Sequence, residues 1–192
     1  MGKVIYLTGA PASGKTTALR MLCAKRTDLL VWEYGERLAD YLNEKSNDVI
    51  SHEDLRTRSA QLTLPEHIRD VDQKLTEYVA ANRAERTVFV NSHPVTKEQY
   101  GFRITPFSQE QFRRLAPTEI WVLYASPSET VARIKRDPAG RPNISLEEAA
   151  FHTTLQSSIA STYATATGCP VYLFNTEVEP ETLLASLERR IA

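Results

Sequence analysis

Gly9-Ala10-Pro11-Ala12-Ser13-Gly14-Lys15-Thr16 decides how this 192-residue chain is read. The stretch fits GxxxxGK[ST], the pattern of a phosphate-cradling P-loop. It follows an apolar run, Val4-Ile5-Tyr6-Leu7-Thr8, and leads into a helical pattern at Ala18, Leu19 and Leu22. A strand before and a helix after are the context such a loop needs. Gly9 and Gly14 allow backbone angles that a β-carbon forbids. The loop N–H groups and the helix N-terminus then offer partial positive charge to an anion. Lys15 is expected to bridge the β- and γ-phosphates of ATP, and Thr16 to ligate Mg²⁺. Gly9, Ala12, Ser13, Gly14 and Thr17 complete the expected nucleotide-binding set.

Working outward, further apolar runs stand at 29–32, 87–90, 120–125 and 171–174, making five with the first. None alternates cleanly with polar residues, which fits a parallel sheet covered on both faces. Helix signals lie between the runs. Ser126-Pro127-Ser128-Glu129 pairs a cap with a proline at the first helical position. Ser145-Leu146-Glu147-Glu148 is a capping box whose helix is expected to reach Thr167, with Gly168 as its stop. Pro65 and Pro180 mark two more starts. The expected fold is α/β: a P-loop NTPase fold, a five-stranded parallel sheet with helices on both faces and a short lid segment. The chain reads as one domain over 1–192, with no internal repeat or long linker. The stretch 137–142, rich in Pro, Gly and charge, reads as its most mobile loop.

Composition excludes several classes. There are 23 Lys+Arg against 24 Asp+Glu, a net charge of −1, so a globally basic nucleic-acid binder is not expected. Cys23 and Cys169 form neither a CxxC nor a Cys/His cluster, which argues against a disulfide scaffold or structural zinc. No apolar run approaches the roughly 18 residues of a membrane span. Tyr6 stands where a myristoylation signal after Gly2 wants Ser or Thr. The expectation is a cytoplasmic protein with no membrane partner; the oligomeric state stays open.

Beyond the loop, Glu33-Tyr34-Gly35-Glu36, His52-Glu53-Asp54-Leu55-Arg56, Val90-Asn91-Ser92-His93 and Arg133-Ile134-Lys135-Arg136-Asp137 with Arg141 follow in order. Together with the P-loop they make the chain resemble the small nucleotide kinases of the adenylate kinase group, most of all the archaeal-type adenylate kinases. The resemblance implies an ATP- and Mg²⁺-dependent phosphotransferase acting on a nucleotide-type acceptor. It implies an acceptor-binding helical segment at about 33–83, and acceptor contacts from Tyr34, Glu36 and Arg56 within it and His93 beyond it. It further implies a lid at about 133–144, whose Arg133, Arg136 and Arg141 act with Lys15 on the transferred phosphates. Arginine suits that work through planar, bidentate donors. For the lid cations the competing reading is a solvated helix face, favourable to the helix dipole. Trp32, Tyr34, Tyr100 and Phe102 are further expected to flank the acceptor cleft, where they could stack on a base or simply pack.

Two residues depart from the resemblance. Asn91 stands where the group carries an Asp that holds the water shell of Mg²⁺; either Thr16 and the phosphates hold the metal alone, or another acid substitutes. Glu33 ends the second strand, where the archaeal-type enzymes have a neutral residue. An acceptor phosphate needs no base at pH 7, whereas an acceptor hydroxyl benefits from a positioned carboxylate. The favoured acceptor is a nucleoside monophosphate. The alternative is a hydroxyl on a nucleoside or on a modified base in DNA, as in 5-hydroxymethyluracil DNA kinases, with Glu33 as general base. A nucleic-acid partner belongs only to that alternative. A non-enzymatic switch is disfavoured, since no guanine-specificity motif is visible and lid arginines would have no task.

Overall fold

A computed structural model describes residues 2–45, 50, 54–55, 61–138 and 141–191. Five parallel strands form the central sheet in the order β2-β3-β1-β6-β7. They are β1 (Val4–Thr8), β2 (Leu29–Glu33), β3 (Thr87–Asn91), β6 (Glu119–Tyr124) and β7 (Val171–Asn175). These are the five runs read from the sequence: β1 matches its run end to end, and the other four differ by one residue at one or both ends. Strand β1 lies centrally and is buried on both faces, as a continuous apolar run must be.

Side chains alternate across the sheet, so β1 feeds two cores. Ile5 and Leu7 pack with Leu19 and Leu22 of α1 (Lys15–Lys25) and Leu184 and Leu187 of α7 (Pro180–Ile191). Val4 and Tyr6 face the other side. That side is covered by α2 (Tyr34–Lys45), α3 (Pro65–Asn82), α4 (Gln109–Leu115) and α6 (Leu146–Thr167). Tyr6, Phe112 and Tyr163 join these helices to the sheet; Phe112 and Tyr163 stack at 4.1 Å between centroids, and Tyr6 meets both edge-on.

The helix signals act as expected. Ser126 Oγ accepts from the Glu129 N–H at 3.2 Å, and Pro127 opens α5 (Pro127–Arg136). Ser145 and Glu148 exchange both bonds of the capping box, at 3.1 and 2.9 Å. Gly168 ends α6 in the left-handed region at φ 73°, which only glycine enters freely.

A hairpin, like the short helix α4, was not among the elements read from the sequence. Strands β4 (Val95–Glu98) and β5 (Gly101–Ile104) form an antiparallel hairpin outside the main sheet. It is pinned to α6: His152 Nε2 and Gln156 Nε2 reach the Val95 carbonyl at 3.0 and 3.3 Å, and Lys97 pairs with Glu148 at 3.2 Å. Among the described residues no helix is long and apolar enough to cross a membrane.

Candidate active site

All five strands of the main sheet point their C-terminal ends the same way, and a cleft opens there, the usual place for a ligand in an open parallel sheet. The cleft encloses about 700 Å³ and is lined by the residue 11–18 stretch, Glu33, Asn91, His93, Lys97, Arg133, Arg136, Arg141 and Thr176. That volume suits a small-molecule ligand.

The loop between β1 and α1 is tightly built. Gly9 has φ 150°, and a β-carbon there would lie 2.2 Å from the Leu123 carbonyl oxygen of β6. Gly14 caps α1 at φ 86°, and Ala12 holds a left-handed φ of 58° that a non-glycine residue adopts at some strain. Lys15 Nζ folds back over the loop, donating to the Gly9 and Ala10 carbonyls at 2.6 and 3.1 Å. Ser13 is buried, while Thr16 and Thr17 are exposed to the cleft. The glycine cradle, the helix N-terminus and Lys15 fit a polyphosphate.

Arg133 is held from three directions. Its Nε donates to Glu129 at 2.8 Å, Nη1 to the Ala12 carbonyl and Thr176 Oγ1 at 3.2 and 2.9 Å, and Nη2 to the Thr176 carbonyl at 3.0 Å. It therefore braces the P-loop against the end of β7. The sequence reading placed it in a mobile clamp; its geometry is that of a fixed strut. Arg136 is exposed on the cleft wall. Arg141 also lines the cleft and donates to the Asp137 carbonyl at 3.0 Å.

Glu33 and Asn91 end neighbouring strands in register. Asn91 Nδ2 donates to Glu33 Oε2 at 2.6 Å. Burial raises the Glu33 pKa; the bond from Asn91 opposes that shift, nearby Glu36 adds to it, and Lys15 opposes it. Asn91 Oδ1 is buried and has no hydrogen-bond partner among the described residues. Thr16, Glu33 and Asn91 line the same cleft and offer hard oxygens of the kind a hydrated divalent cation takes. Among the described residues there is no cluster of three or more His, Cys, Asp or Glu able to hold a metal without a substrate.

A second, smaller pocket adjoins the first and shares Gly35, His93 and Thr96 with it. Tyr34, Leu38, Ile68 and Phe107 make it mostly apolar. Its charged wall residue is Asp72, 4% exposed, which accepts from the Tyr34 hydroxyl at 2.7 Å. Burial raises the Asp72 pKa to about 6. The sequence reading missed Asp72, although a signal existed. Ile68, Asp72, Leu75 and Val79 share the apolar stripe of α3, so Asp72 is a charge at a buried position. It also missed Lys97, which the hairpin brings to the cleft.

Other expected residues fall elsewhere. Trp32 lies in the core against Tyr78, Tyr100 is 71% exposed at the hairpin turn, and Phe102 packs on Phe151 and His152. Of the four aromatic candidates, Tyr34 alone lines the second pocket. Glu36 is exposed in the first turn of α2 and lines neither cavity. Arg56, with His52 and Glu53 of the same expected element, lies outside the described residues.

A sequence family described as AAA domain matches residues 8–150, well over half of the chain, and the chain belongs to that family. The adenylate kinase of Methanothermobacter thermautotrophicus is 27% identical over 172 residues, covering 88% of each chain. That of Pyrobaculum aerophilum is 25% identical over 178 residues, covering 92% of this chain and 86% of its own. Among solved structures, shikimate kinase from Bacteroides thetaiotaomicron superposes with a TM-score of 0.58 at 16% identity, over 99% of this chain and 98% of that one. A sugar kinase from Janibacter sp. HTCC2649 gives 0.56 at 12% identity, over 100% and 96%. The structural likenesses speak to the fold alone. Fold, loop and family together make this chain a P-loop phosphotransferase, similar to the archaeal-type adenylate kinases.

Proposed function

We propose that the chain transfers the γ-phosphoryl group of ATP to a nucleoside monophosphate. The observation that carries this reading is the second pocket, which abuts the P-loop cleft along Gly35, His93 and Thr96. The second cavity, about 80 Å³, opens beside the donor cleft, so an acceptor seated across their junction would lie next to the donor, as in-line transfer needs. The similarity to adenylate kinases, running along most of the chain, supports the same acceptor class.

In this reading Gly9, Ala12, Ser13, Gly14 and Thr17 surround the phosphates with N–H and hydroxyl groups. Lys15 leaves the loop carbonyls for the β- and γ-phosphates. Mg²⁺, when bound, would neutralise charge on the phosphate oxygens; Thr16 and Asn91, with Glu33 beside Asn91, would hold it. Arg136 and Arg141, on a lid at about 133–144, meet the charge that develops on the transferred group. Arg133 keeps the loop in shape. Tyr34, His93 and Arg56 serve the acceptor, with 33–83 as its binding segment. The shared solution chemistry fits a cytoplasmic setting.

A second reading is favoured by one observation: the Glu33 carboxylate faces the cleft and is aligned by Asn91. With an acceptor hydroxyl, on a nucleoside or a modified base in DNA, Glu33 would take the proton.

Equilibrium binding separates the two. The protein loaded with a non-hydrolysable ATP analogue is titrated with a nucleoside monophosphate and with the matching nucleoside. The monophosphate is expected to bind at least about tenfold more tightly, as charge-assisted bonds to a phosphate imply. A nucleoside that binds as well as its monophosphate contradicts a phosphate acceptor.

A further inference from the structure

Glu33 and Asn91 stand directly opposite one another at the ends of β2 and β3. The sense of their 2.6 Å bond follows from chemistry: a carboxylate accepts, so the amide must present its nitrogen. The amide oxygen is then turned elsewhere. Asn91 is 8% exposed, and its Oδ1 meets no donor among the described residues. A buried acceptor carries a desolvation penalty until a donor arrives.

Water on a divalent cation is such a donor. Its lone pair faces the metal, and its protons face outward. Magnesium gives up its waters reluctantly, so protein groups usually reach it through them. Glu33 and Asn91 Oδ1 provide acceptors of this kind in the cleft that Lys15 and Thr16 also line. Asp137, the other carboxylate on the cleft wall, belongs to the C-terminal end of α5 and the Arg141 turn.

We infer that Glu33 is the anionic outer-shell partner of the nucleotide-bound Mg²⁺, and that Asn91 positions it. The negative charge stands on β2, and the neutral amide opposite it on β3 orients it. This rests on the reading that the cleft takes ATP with Mg²⁺, and it is independent of the acceptor. It also gives Glu33 a task other than that of a base.

The test uses Mn²⁺ as the probe. Its affinity for the protein saturated with a non-hydrolysable ATP analogue is measured by electron paramagnetic resonance, and analogue binding is measured separately in EDTA. Glu33→Gln is expected to weaken Mn²⁺ binding by about tenfold or more, the usual effect of losing an outer-shell partner. Metal-free binding of the analogue should stay within about twofold. Glu33→Gln/Asn91→Asp places the charge on β3 instead and is expected to recover Mn²⁺ affinity to within about threefold of wild type. Glu33→Asp keeps the charge and is expected to lose less than Glu33→Gln. Unchanged Mn²⁺ affinity in Glu33→Gln overturns the inference. So does a double variant that binds Mn²⁺ no better than Glu33→Gln while binding the metal-free analogue normally. Wild-type protein that binds the analogue neither with Mn²⁺ nor in EDTA refutes the ATP reading itself, and the inference falls with it.

Discussion

Arg133 and Arg136 lie three residues apart on α5, yet their surroundings give them different work. Arg133 is bound to Glu129, Ala12 and Thr176 through all three guanidinium nitrogens. Arg133→Ala is therefore expected to lower stability by about 2 kcal/mol in urea unfolding, because several partly buried partners are left unpaired. Arg136 is exposed on the cleft wall. Arg136→Ala should leave the unfolding midpoint unchanged and lower kcat more than it raises KM for ATP, since its charge matters most as the transition state forms. A change in KM alone would make Arg136 a ground-state contact, and no change at all would return it to the solvated helix face. Lys15→Ala should fold normally and keep less than about a tenth of wild-type kcat.

Asp72 carries a pH-dependent prediction. Burial raises its folded pKa to about 6, above an ordinary carboxyl near 3.8. The folded state then binds the proton more tightly than the unfolded chain. The associated stability is present at low pH and is lost as pH rises from about 4 through 6. Asp72→Asn mimics the protonated form and can still accept from the Tyr34 hydroxyl. It is expected to exceed wild type by about 2–3 kcal/mol at pH 7.5, with the gap closing toward pH 4. Urea unfolding of both proteins across that range checks it; a gap that grows as pH falls contradicts the assignment.

At the scale of elements, the parts written in local chemistry were legible and the parts set by distant packing were not. The GxxxxGK[ST] spacing, the Ser145/Glu148 box and the Gly168 stop are each written within a few positions of the chain, so their spacing names the structure. Ser145→Ala, which removes a bonded cap, should cost about 1 kcal/mol. The β4–β5 hairpin gave no such signal. Val-Thr-Lys-Glu is largely polar, and Gln99-Tyr100 is not a favoured two-residue turn. The hairpin holds because His152 and Gln156, more than fifty residues away, hydrogen-bond the Val95 carbonyl. Lys97 enters the cleft only through that long-range contact, which spacing along the chain cannot reveal.

Across the whole molecule, five parallel strands gather their C-terminal ends into one edge, and that geometry turns scattered motifs into a site. Lys15 after β1, Glu33 on β2, Asn91 on β3 and Thr176 after β7 meet around one cleft although they span most of the chain. The order of motifs already pointed to a P-loop kinase. The register that joins Glu33 to Asn91 required the fold, because only strand pairing sets which two residues stand opposite one another. The acceptor is the central claim, and phosphoryl transfer from γ-labelled ATP tests it most directly. A panel of nucleoside monophosphates, the matching nucleosides and hydroxymethylated DNA is offered to the wild-type protein with Mg²⁺. Label is expected on a nucleoside monophosphate, giving the diphosphate. Label on a nucleoside or on the DNA, with the monophosphates untouched, would contradict the phosphate acceptor.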